Sequence, residues 1–449
     1  MYFVWQQRLF NSIETLDGQP LEIIHPGLRN HEVGPDFFNA KVCYDGVTWA
    51  GNVEMHVKAS DWYRHHHNEN RAYDSVILHV VLHADAQIHL HDGTELRTVV
   101  MHIPNDVMRR YYALCVPAEA SPADHLSADS TPIDAVSPAS VTKSLLPGNS
   151  SFLSVCPQGT PHSSFLTPNS SFFLRCKPRV TEVPAIVLHD WINALAIQRM
   201  MGKMQRVQNV VETNMKSWEE AFYTILLRSL GSGTNSDGME RLARSLPYSC
   251  LLHHRDNLFQ LRAMLLGQAG LIDFTTPEGR QLEQEYTFLR SKFGLTPIDP
   301  TAWRMSRLRP QATPQCRLES FAALIWTHPN LLSEALEAAD SLENLTRIFS
   351  VKGIGKQTVQ IVLINAVVPT LLSYHRWQGD DERAEQALAL LEQLPAESNR
   401  FITQWIEAGI PARSALDTQA LLHLAQNYCQ PHKCLHCRLG CWLIKHQEK

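Results

Sequence analysis

Strict alternation of apolar and polar residues between Asn52 and Lys58 is the feature that most constrains the fold of this chain. The apolar side chains are Val53, Met55 and Val57. The polar side chains that alternate with them are Asn52, Glu54, His56 and Lys58. A period of two predicts a β-strand with one apolar and one polar face. Because that polar face carries an acid, an imidazole and an ammonium group, it is either a candidate site or the solvated side of a sheet.

Short apolar segments on both sides of this strand predict further strands. They are expected near residues 21–25, 39–47, 75–83, 87–91 and 95–103, after a short helix near 3–13. Asp45-Gly46 and Asp92-Gly93 are typical of hairpin turns. The nearly continuous apolar run at 75–83 indicates a strand buried on both faces. Residues 1–117 are therefore predicted to form an α+β, mixed or antiparallel β-rich domain with about five or six strands.

Composition sets limits on the class of protein. The 449 residues allow two or three domains, and 44% hydrophobic with 19% charged residues is typical of a globular protein. A formal net charge of -5 excludes a uniformly basic nucleic-acid binder but permits a local basic groove. No signal peptide and no apolar run of roughly 20 residues are found, so no membrane partner is expected. Four of the ten cysteines lie within thirteen residues near the C-terminus and the rest are scattered, which predicts a metal or cluster site in a reducing compartment, the cytoplasm.

The chain changes character twice after the predicted sheet. Residues 118–177 are rich in Ser, Pro, Thr and Asn, which predicts a disordered insertion or linker. From residue 178 to 449 the apolar residues return at helical spacing, which predicts an all-α C-terminal domain. The oligomeric state is not indicated by any of these patterns.

Two carboxylates are candidates for a Mg²⁺ site in the first domain. Asp36 follows Gly34-Pro35, and Glu54 lies on the alternating strand. The arrangement resembles the PD-(D/E)xK nuclease core, in which a Pro-Asp leads one strand and an acid-x-lysine lies on the next. Here His56 occupies the expected lysine position and Lys58 lies two residues further on. The resemblance implies that Asp36 and Glu54 hold Mg²⁺ while His56 or Lys58 handles the water and the phosphate charge.

Histidines form a second group of candidates. His65, His66 and His67 are consecutive in a predicted loop, and His79 lies on the buried strand at 75–83. Imidazoles so arranged can bind a transition metal, or they can be solvent-exposed loop residues and a core histidine. A hydrolase that uses His65, His67 and His79 on a transition metal is one interpretation.

Two segments of the helical half are typical of segments that bind phosphate groups. The turn Lys352, Gly353, Ile354, Gly355 and Lys356 resembles the helix-hairpin-helix motif of DNA-repair glycosylases, spanning residues 351–367, which binds backbone phosphates. Its alternative is a glycine turn between two core helices. The second segment carries the positive charges of Arg304, Arg307 and Arg309, which either contact phosphate or support a helix surface.

The C-terminal cysteines are the most specific chemical signal. Their spacing is C-x4-C-x2-C-x3-C over 429–441, formed by Cys429, Cys434, Cys437 and Cys441. Four thiolates suit zinc or an iron–sulfur cluster, and His432 and His436 are alternative ligands. A cysteine group after a helix-hairpin-helix resembles the order in the endonuclease III class.

The chain as a whole resembles a bacterial family called domain of unknown function 2851. The resemblance rests on 34–40, 49–56, 60–67, 78–81, 266–271, 307–310, 364–365 and 428–440. In that family the position of Cys441 is not always cysteine, which implies a three-cysteine site with another ligand as an alternative. The combined expectation is a Mg²⁺-dependent nuclease or other protein that processes DNA or RNA. The alternatives are a nucleic-acid-binding or scaffolding protein with a structural metal, and the histidine-metal hydrolase.

Overall fold

The computed structural model describes residues 1–11, 13–16, 18, 21–30, 32–115, 174–306 and 308–446. The chain divides into two compact units. The first comprises Met1–Pro147, Arg175–Val187 and Tyr428–Lys449, and the second comprises Gly148–Leu174 and Leu188–Asn427. Nearly all of the predicted insertion at 118–177 lies outside the described residues. The division differs from the predicted one, because the C-terminal cysteine segment belongs to the first unit and not to the helical one.

A seven-stranded mixed sheet forms the centre of the first unit. Its strands are β1 (Ile13–Thr15), β2 (Glu22–His25), β3 (Leu28–Arg29), β4 (Phe37–Tyr44), β5 (Val47–Lys58), β6 (Val76–His83) and β7 (Thr98–Met101). The order is β1-β7-β6-β5-β4-β2, with β3 paired to β4. β4 and β5 are antiparallel, whereas β5, β6 and β7 are parallel to one another. The predicted α+β class with a mixed N-terminal sheet is confirmed.

The predicted hairpin at Asp92-Gly93 forms only in part. Leu90 N–H donates to the Thr94 carbonyl at 2.9 Å, and His89 and Glu95 form an isolated bridge. The following strand β7 pairs in parallel with β6 and not with the segment before the turn. The predicted strand at 87–91 is therefore wrong, because a single bridge between His89 and Glu95 is too short a pairing to form a strand, and β7 begins only at Thr98.

The polar face of β5 is buried at Glu54 and His56, contrary to the interpretation of a solvated side, while Lys58 at its end is exposed. Glu54 is 6% exposed and His56 is 7% exposed. The cover comes from the segment between β5 and β6, which contains α2 (Asp61–Arg64) and two 3₁₀ turns, His67–Glu69 and Arg71–Tyr73. Trp62 and Tyr73 from this segment pack in a small core over the sheet. Acid and imidazole groups therefore lie in a desolvated space between the sheet and its cover.

Close approach of β5 to β6 depends on a glycine. A Cβ atom at Gly51 would lie 2.3 Å from Ile77 Cγ2 and 2.9 Å from the Ser75 carbonyl oxygen. Because real Cβ atoms do not approach so closely, Gly51 allows the parallel pair to begin at its observed register. The other helices of this unit are α1 (Tyr2–Gln7), α3 (Asn105–Cys115) and α18 (Arg438–Lys445).

The second unit is helical and has its own large apolar core. Its helices are α4 (Ala185–Thr213), α5 (Trp218–Leu230), α6 (Ser236–Ser245), α7 (Tyr248–Leu252), α8 (Leu258–Gln268), α9 (Pro277–Phe293), α10 (Pro314–Thr327), α11 (Leu331–Glu337), α12 (Leu342–Phe349), α13 (Lys356–Val362), α14 (Val368–Gln378), α15 (Asp381–Gln393), α16 (Arg400–Glu407) and α17 (Ala415–Leu424). A π-helical segment, Leu363–Val367, joins α13 to α14. The predicted all-α domain is confirmed as a helical fold.

One helical stretch in the described part of the chain is long and apolar enough to cross a membrane. It is Lys356–Gln378, and 78% of its apolar window is buried inside the protein. A buried core helix of a globular unit has the same properties. This stretch is therefore weak evidence for a membrane-spanning helix.

Candidate metal centre

Three histidines converge where β5 meets its cover. His56 lies on β5, His65 follows the last residue of α2, and His67 begins the next 3₁₀ turn. One ring nitrogen of each lies within 4.8 Å of those of the other two. His66, between them, adopts a left-handed conformation with φ of 60°, which turns the chain so that its neighbours face His56 while its own side chain is 73% exposed. The local backbone thus selects two of the three consecutive histidines.

Glu54 completes a set of four donor groups. Its Oε1 lies 3.4 Å from His67 Nε2 and 3.7 Å from His56 Nε2. His56 Nε2 and His65 Nδ1 are 3.1 Å apart. Donor atoms bound at about 2.1 Å to one ion would show such separations when the angles at the ion are about 95° to 125°. These three separations therefore fit a single transition-metal ion.

His79 lies behind the first ring. Its Nε2 is 2.8 Å from His56 Nδ1, and it is fully buried. Burial lowers the pKa of His56 to about 4 and that of His79 to about 3, with further lowering by the neighbouring imidazoles. Both rings are therefore neutral at pH 7, the form in which imidazole binds a metal. The Nδ1 of His79 has no hydrogen-bond partner among the described residues.

Asp36 lies next to Glu54, as the sequence predicted. Glu54 Oε2 accepts a hydrogen bond from the Asp36 backbone N–H at 2.9 Å, and Asp36 Oδ2 accepts one from Met55 N–H at 3.1 Å. Burial, and then the Glu54 charge, raise the pKa of Asp36 to about 6. Arg29 Nη1 lies 3.8 Å from Asp36 Oδ1 and limits that rise. Two carboxylates and a guanidinium therefore adjoin the histidines.

Aromatic rings form a wall against the histidines of the centre, and the sequence did not predict this wall. Tyr73 stacks on His67 with ring centroids 3.9 Å apart, and Trp62 packs edge-on against His67 and at a tilt against His79. Burial and the charges of Glu54 and Asp36 raise the pKa of Tyr73 to about 12. His65 is exposed, so solvent reaches the centre from the side of His65. The signal that could have indicated this wall is the placement of Trp62 and Tyr73 beside the histidines in the sequence.

The other predicted site residues lie elsewhere. Lys58 is exposed at the end of β5, where its charge lowers the pKa of Asp85 after the larger effect of the Ser60 hydrogen bonds. The glycine turn lies between α12 and α13, with Gly353 at φ of 91°, Gly355 capping α13, and Lys352 and Lys356 exposed. Its function as a helix-hairpin-helix stays a prediction.

In the arginine segment, the backbone N–H and carbonyl groups of Arg304 form hydrogen bonds with the side chain of Asn235. This contact favours the interpretation that the segment supports a helix surface. Arg309 precedes a 3₁₀ turn, and Arg307 lies outside the described residues. Contact of these residues with phosphate stays a prediction. The turn and the arginines belong to the second unit, whereas the histidine centre belongs to the first.

The comparison with protein families agrees with the resemblance seen in the sequence. The family described as "Protein of unknown function (DUF2851)" matches residues 1–138, 161–353 and 350–400. The chain belongs to this family. The match contains the whole histidine centre, from Asp36 to His79, and ends before the C-terminal cysteines. No curated protein and no solved structure matches the chain.

Proposed function

We propose that the first unit of this DUF2851 protein is a hydrolase that depends on a divalent transition metal. The observation that carries the proposal is the convergence of His56, His65 and His67 within 4.8 Å beside the Glu54 carboxylate. Glu54 and His56 are buried on the strand that contributes to this group. Buried polar groups that face one another cost a fold free energy unless a bound ion or hydrogen bonds compensate them.

The donor set favours a transition metal over Mg²⁺ at this point. Imidazole nitrogens suit zinc, iron, nickel or copper, whereas Mg²⁺ prefers oxygen donors and keeps several waters. Three nitrogens and one carboxylate oxygen also leave at least one position for water or substrate in a five- or six-coordinate ion. An ion bound there would acidify a coordinated water and polarise a substrate oxygen.

The neighbouring residues have the properties that hydrolysis needs. Asp36, with a pKa of about 6, is ionised at pH 7 and can accept a proton from an attacking water. Arg29, beside Asp36, supplies positive charge for an anionic substrate oxygen. The exposure of His65 gives the substrate a route to the centre.

Metal analysis of the purified protein and of matched variants tests the proposal. H65A and H67A are expected to lose bound metal, while H66N retains it, because His66 points to solvent and asparagine tolerates its left-handed backbone. Each protein is then assayed with Zn²⁺, Mn²⁺, Fe²⁺ or Ni²⁺ against phosphomonoester, phosphodiester and carboxylic ester substrates. Equal metal content in H67A and H66N contradicts the proposed ligand set. Metal binding without hydrolysis of any substrate favours the alternative of a structural metal in a binding or scaffolding protein.

A Mg²⁺-dependent nuclease is the second candidate, and the contact between Asp36 and Glu54 favours it. Glu54 accepts from the Asp36 backbone N–H, and Asp36 accepts from the backbone N–H of Met55, the residue after Glu54. Two adjoining carboxylates are what a two-carboxylate Mg²⁺ site requires. Nicking of DNA or RNA with Mg²⁺ that is lost in D36A but kept in H65A supports this candidate over the first. The exposed Lys352 and Lys356 of the second unit are then the first phosphate-contact residues to replace.

A further inference from the structure

One buried nitrogen next to the carboxylates of the candidate centre has no hydrogen-bond acceptor. It is Nη1 of Arg29, which lies without a partner among the described residues. Asp36 Oδ1 is 3.8 Å from this atom, whereas an N–H group donates to oxygen at about 2.7 to 3.2 Å. The great majority of buried donors in native proteins have an acceptor, because a buried donor has lost its hydrogen bonds to water. Nη1 therefore indicates an acceptor that the described part of the chain does not supply.

Aromatic rings fix the position of this guanidinium. Arg29 Cζ lies 3.3 Å from the centre of the Tyr2 ring and 5.3 Å from that of the Phe37 ring. Arg29 is directly opposite Phe37 in the β3–β4 pair, and Phe37 is fully buried. A guanidinium that stacks on an aromatic face keeps the N–H groups in its plane available for an oxyanion. The stack therefore holds the positive charge in place and does not use Nη1.

Tyr2 is held beside Arg29 by the helix that it begins. Trp5, one turn further along α1, is fully buried and donates from Nε1 to the Pro26 carbonyl at 2.8 Å. Arg8, just after α1, donates to the Ile24 carbonyl at 2.7 Å. These bonds fasten α1 to the segment that leads into β3, the strand of Arg29. Tyr2 is 40% exposed, so solvent reaches the stack from its outer side.

The unpartnered nitrogen lies on the carboxylate side of the candidate metal centre. Asp36, next to Arg29, donates from its backbone N–H to Glu54 Oε2 at 2.9 Å, and Glu54 Oε1 lies 3.4 Å from His67 Nε2. A divalent ion together with Arg29 would supply three positive charges, against the two negative charges of Asp36 and Glu54. The single positive charge that remains suits a substrate with one oxyanion group.

We infer that Arg29 binds an oxyanion group of the substrate, a phosphate ester or a carboxylate, and that Tyr2 positions the guanidinium. The inference rests on the proposed hydrolase and names the chemistry of its substrate. Arginine suits this role because two of its N–H groups match two oxygen atoms of a phosphate or carboxylate in one plane. Tyr2 acts through Arg29 and is a positioning residue.

Anion affinity of the full-length protein tests this site apart from any activity. Isothermal titration calorimetry with phenyl phosphate, benzoate and uncharged benzyl alcohol is carried out on the metal-loaded and the metal-free protein. Both anions are expected to bind, and the alcohol is not. Tighter binding of phenyl phosphate assigns a phosphate ester, and tighter binding of benzoate assigns a carboxylate. A wild-type protein that binds neither anion overturns the inference.

Substitutions at the stack separate charge, shape and position. R29M is expected to weaken anion binding roughly 10- to 100-fold, the usual contribution of hydrogen bonds to a charged group. R29K keeps the charge without the planar fork, so its affinity is expected to lie between those of R29M and the wild type. Y2L is expected to weaken binding about 2- to 5-fold, whereas Y2F keeps the ring and the affinity. The metal content of R29M is expected to equal that of the wild type, because Arg29 is not a ligand.

Arg97 provides a matched control in the same unit. Its Cζ lies 3.9 Å from the centre of the Tyr44 ring, and its Nη2 is 3.6 Å from Asp45 Oδ2. R97M therefore removes a similar stack and ion pair whose side chains are not part of the candidate centre, and it is expected to keep the anion affinity. Thermal unfolding of each variant checks that it is folded, and R29K decides the comparison if R29M is not.

The role of Arg29 is overturned if folded R29M binds the anions as tightly as the wild type, or if R97M loses as much affinity as R29M. An equal loss in Y2F and Y2L overturns the positioning by the Tyr2 ring. Failure of the proposed hydrolase gives a different result. A protein that binds no metal, but whose anion affinity decreases in R29M and not in R97M, keeps the oxyanion site and loses the metal-dependent reaction.

Discussion

The Nδ1 atom of His56 lies 2.8 Å from the Nε2 atom of the fully buried His79, so one imidazole orients another. In the tautomer that binds a metal, His56 donates from Nδ1–H to His79 and presents an unprotonated Nε2 to the space shared with His65, His67 and Glu54. A partner behind a ligating histidine fixes both the tautomer and the plane of the ring.

His79→Phe is expected to weaken metal binding about 10- to 100-fold, because His56 then loses the group that fixes its tautomer. His79→Gln keeps an acceptor near His56 Nδ1 and is expected to weaken binding less. Competition with a chromophoric chelator measures both affinities. If the two variants bind metal as tightly as the wild type, His79 is a core residue without influence on the ligand.

Glu54→Gln is expected to lower the pKa of Asp36 from about 6 towards its ordinary value, because it removes the second largest cause of the rise. Burial, the largest cause, stays, so the return is partial. Carboxyl chemical shifts of the metal-free protein, followed by NMR across pH 3 to 8, measure the change. Asp61→Asn, at a carboxylate paired with Arg64 at 2.8 Å, is the control that leaves the Asp36 titration in place. An unchanged Asp36 titration in Glu54→Gln contradicts the charge coupling.

The metal-free protein is expected to lose stability as the pH falls below about 6.5. His56 and His79 have folded pKa values of about 4 and about 3, so the unfolded chain binds more protons than the folded one in this range. Each imidazole then costs about 2 kcal/mol of unfolding free energy between pH 7 and pH 5. Asp36 acts in the opposite direction by about 1 kcal/mol, because its raised pKa lets the folded state take up a proton first.

Urea unfolding at several pH values checks this dependence. His79→Phe is expected to flatten the slope between pH 7 and pH 5, since one of the two imidazoles no longer titrates on unfolding. The assignment of neutral buried rings is contradicted if the free energy of unfolding changes equally with pH in both proteins. It is also contradicted if the wild type becomes more stable as the pH falls.

Gly51→Ala is expected to destabilise the first unit by about 1 to 3 kcal/mol, because the added methyl group overlaps Ile77 and the Ser75 carbonyl. The displacement separates β5 from β6 and so also moves His56 from His79. Thermal unfolding and metal affinity should therefore both decrease. Gly46→Ala, in an exposed turn with nothing near its Cβ, tests backbone strain without the overlap.

Part of the candidate site was predictable from the sequence. The alternation through Glu54 and His56, together with Pro35-Asp36, indicated which side chains share a face and which carboxylates meet. These predictions depend on local periodicity and on neighbouring strands, and both are encoded within a few residues. The parallel order of β5 and β6 was not indicated, because period alone does not state the direction of a partner strand.

The main difference between the predicted and the observed site is the burial of Glu54 and His56. Whether Glu54 and His56 face water depends on the segment that carries Trp62 and Tyr73, and its folding back over the sheet is a tertiary event. The sequence also did not indicate that His65 and His67, but not His66, face His56. That arrangement depends on the left-handed backbone of His66, which composition does not predict.

Every donor group of the histidine centre, with Asp36 and His79 behind it, comes from one unbroken stretch of the chain between Asp36 and His79. The ends of short loops meet at low entropic cost, so this stretch can close without waiting for distant segments. During synthesis it leaves the ribosome well before the helical unit that follows. An ion captured at that stage would act as a folding nucleus for the sheet, and metal supply during translation would then determine how much of the protein reaches its native state.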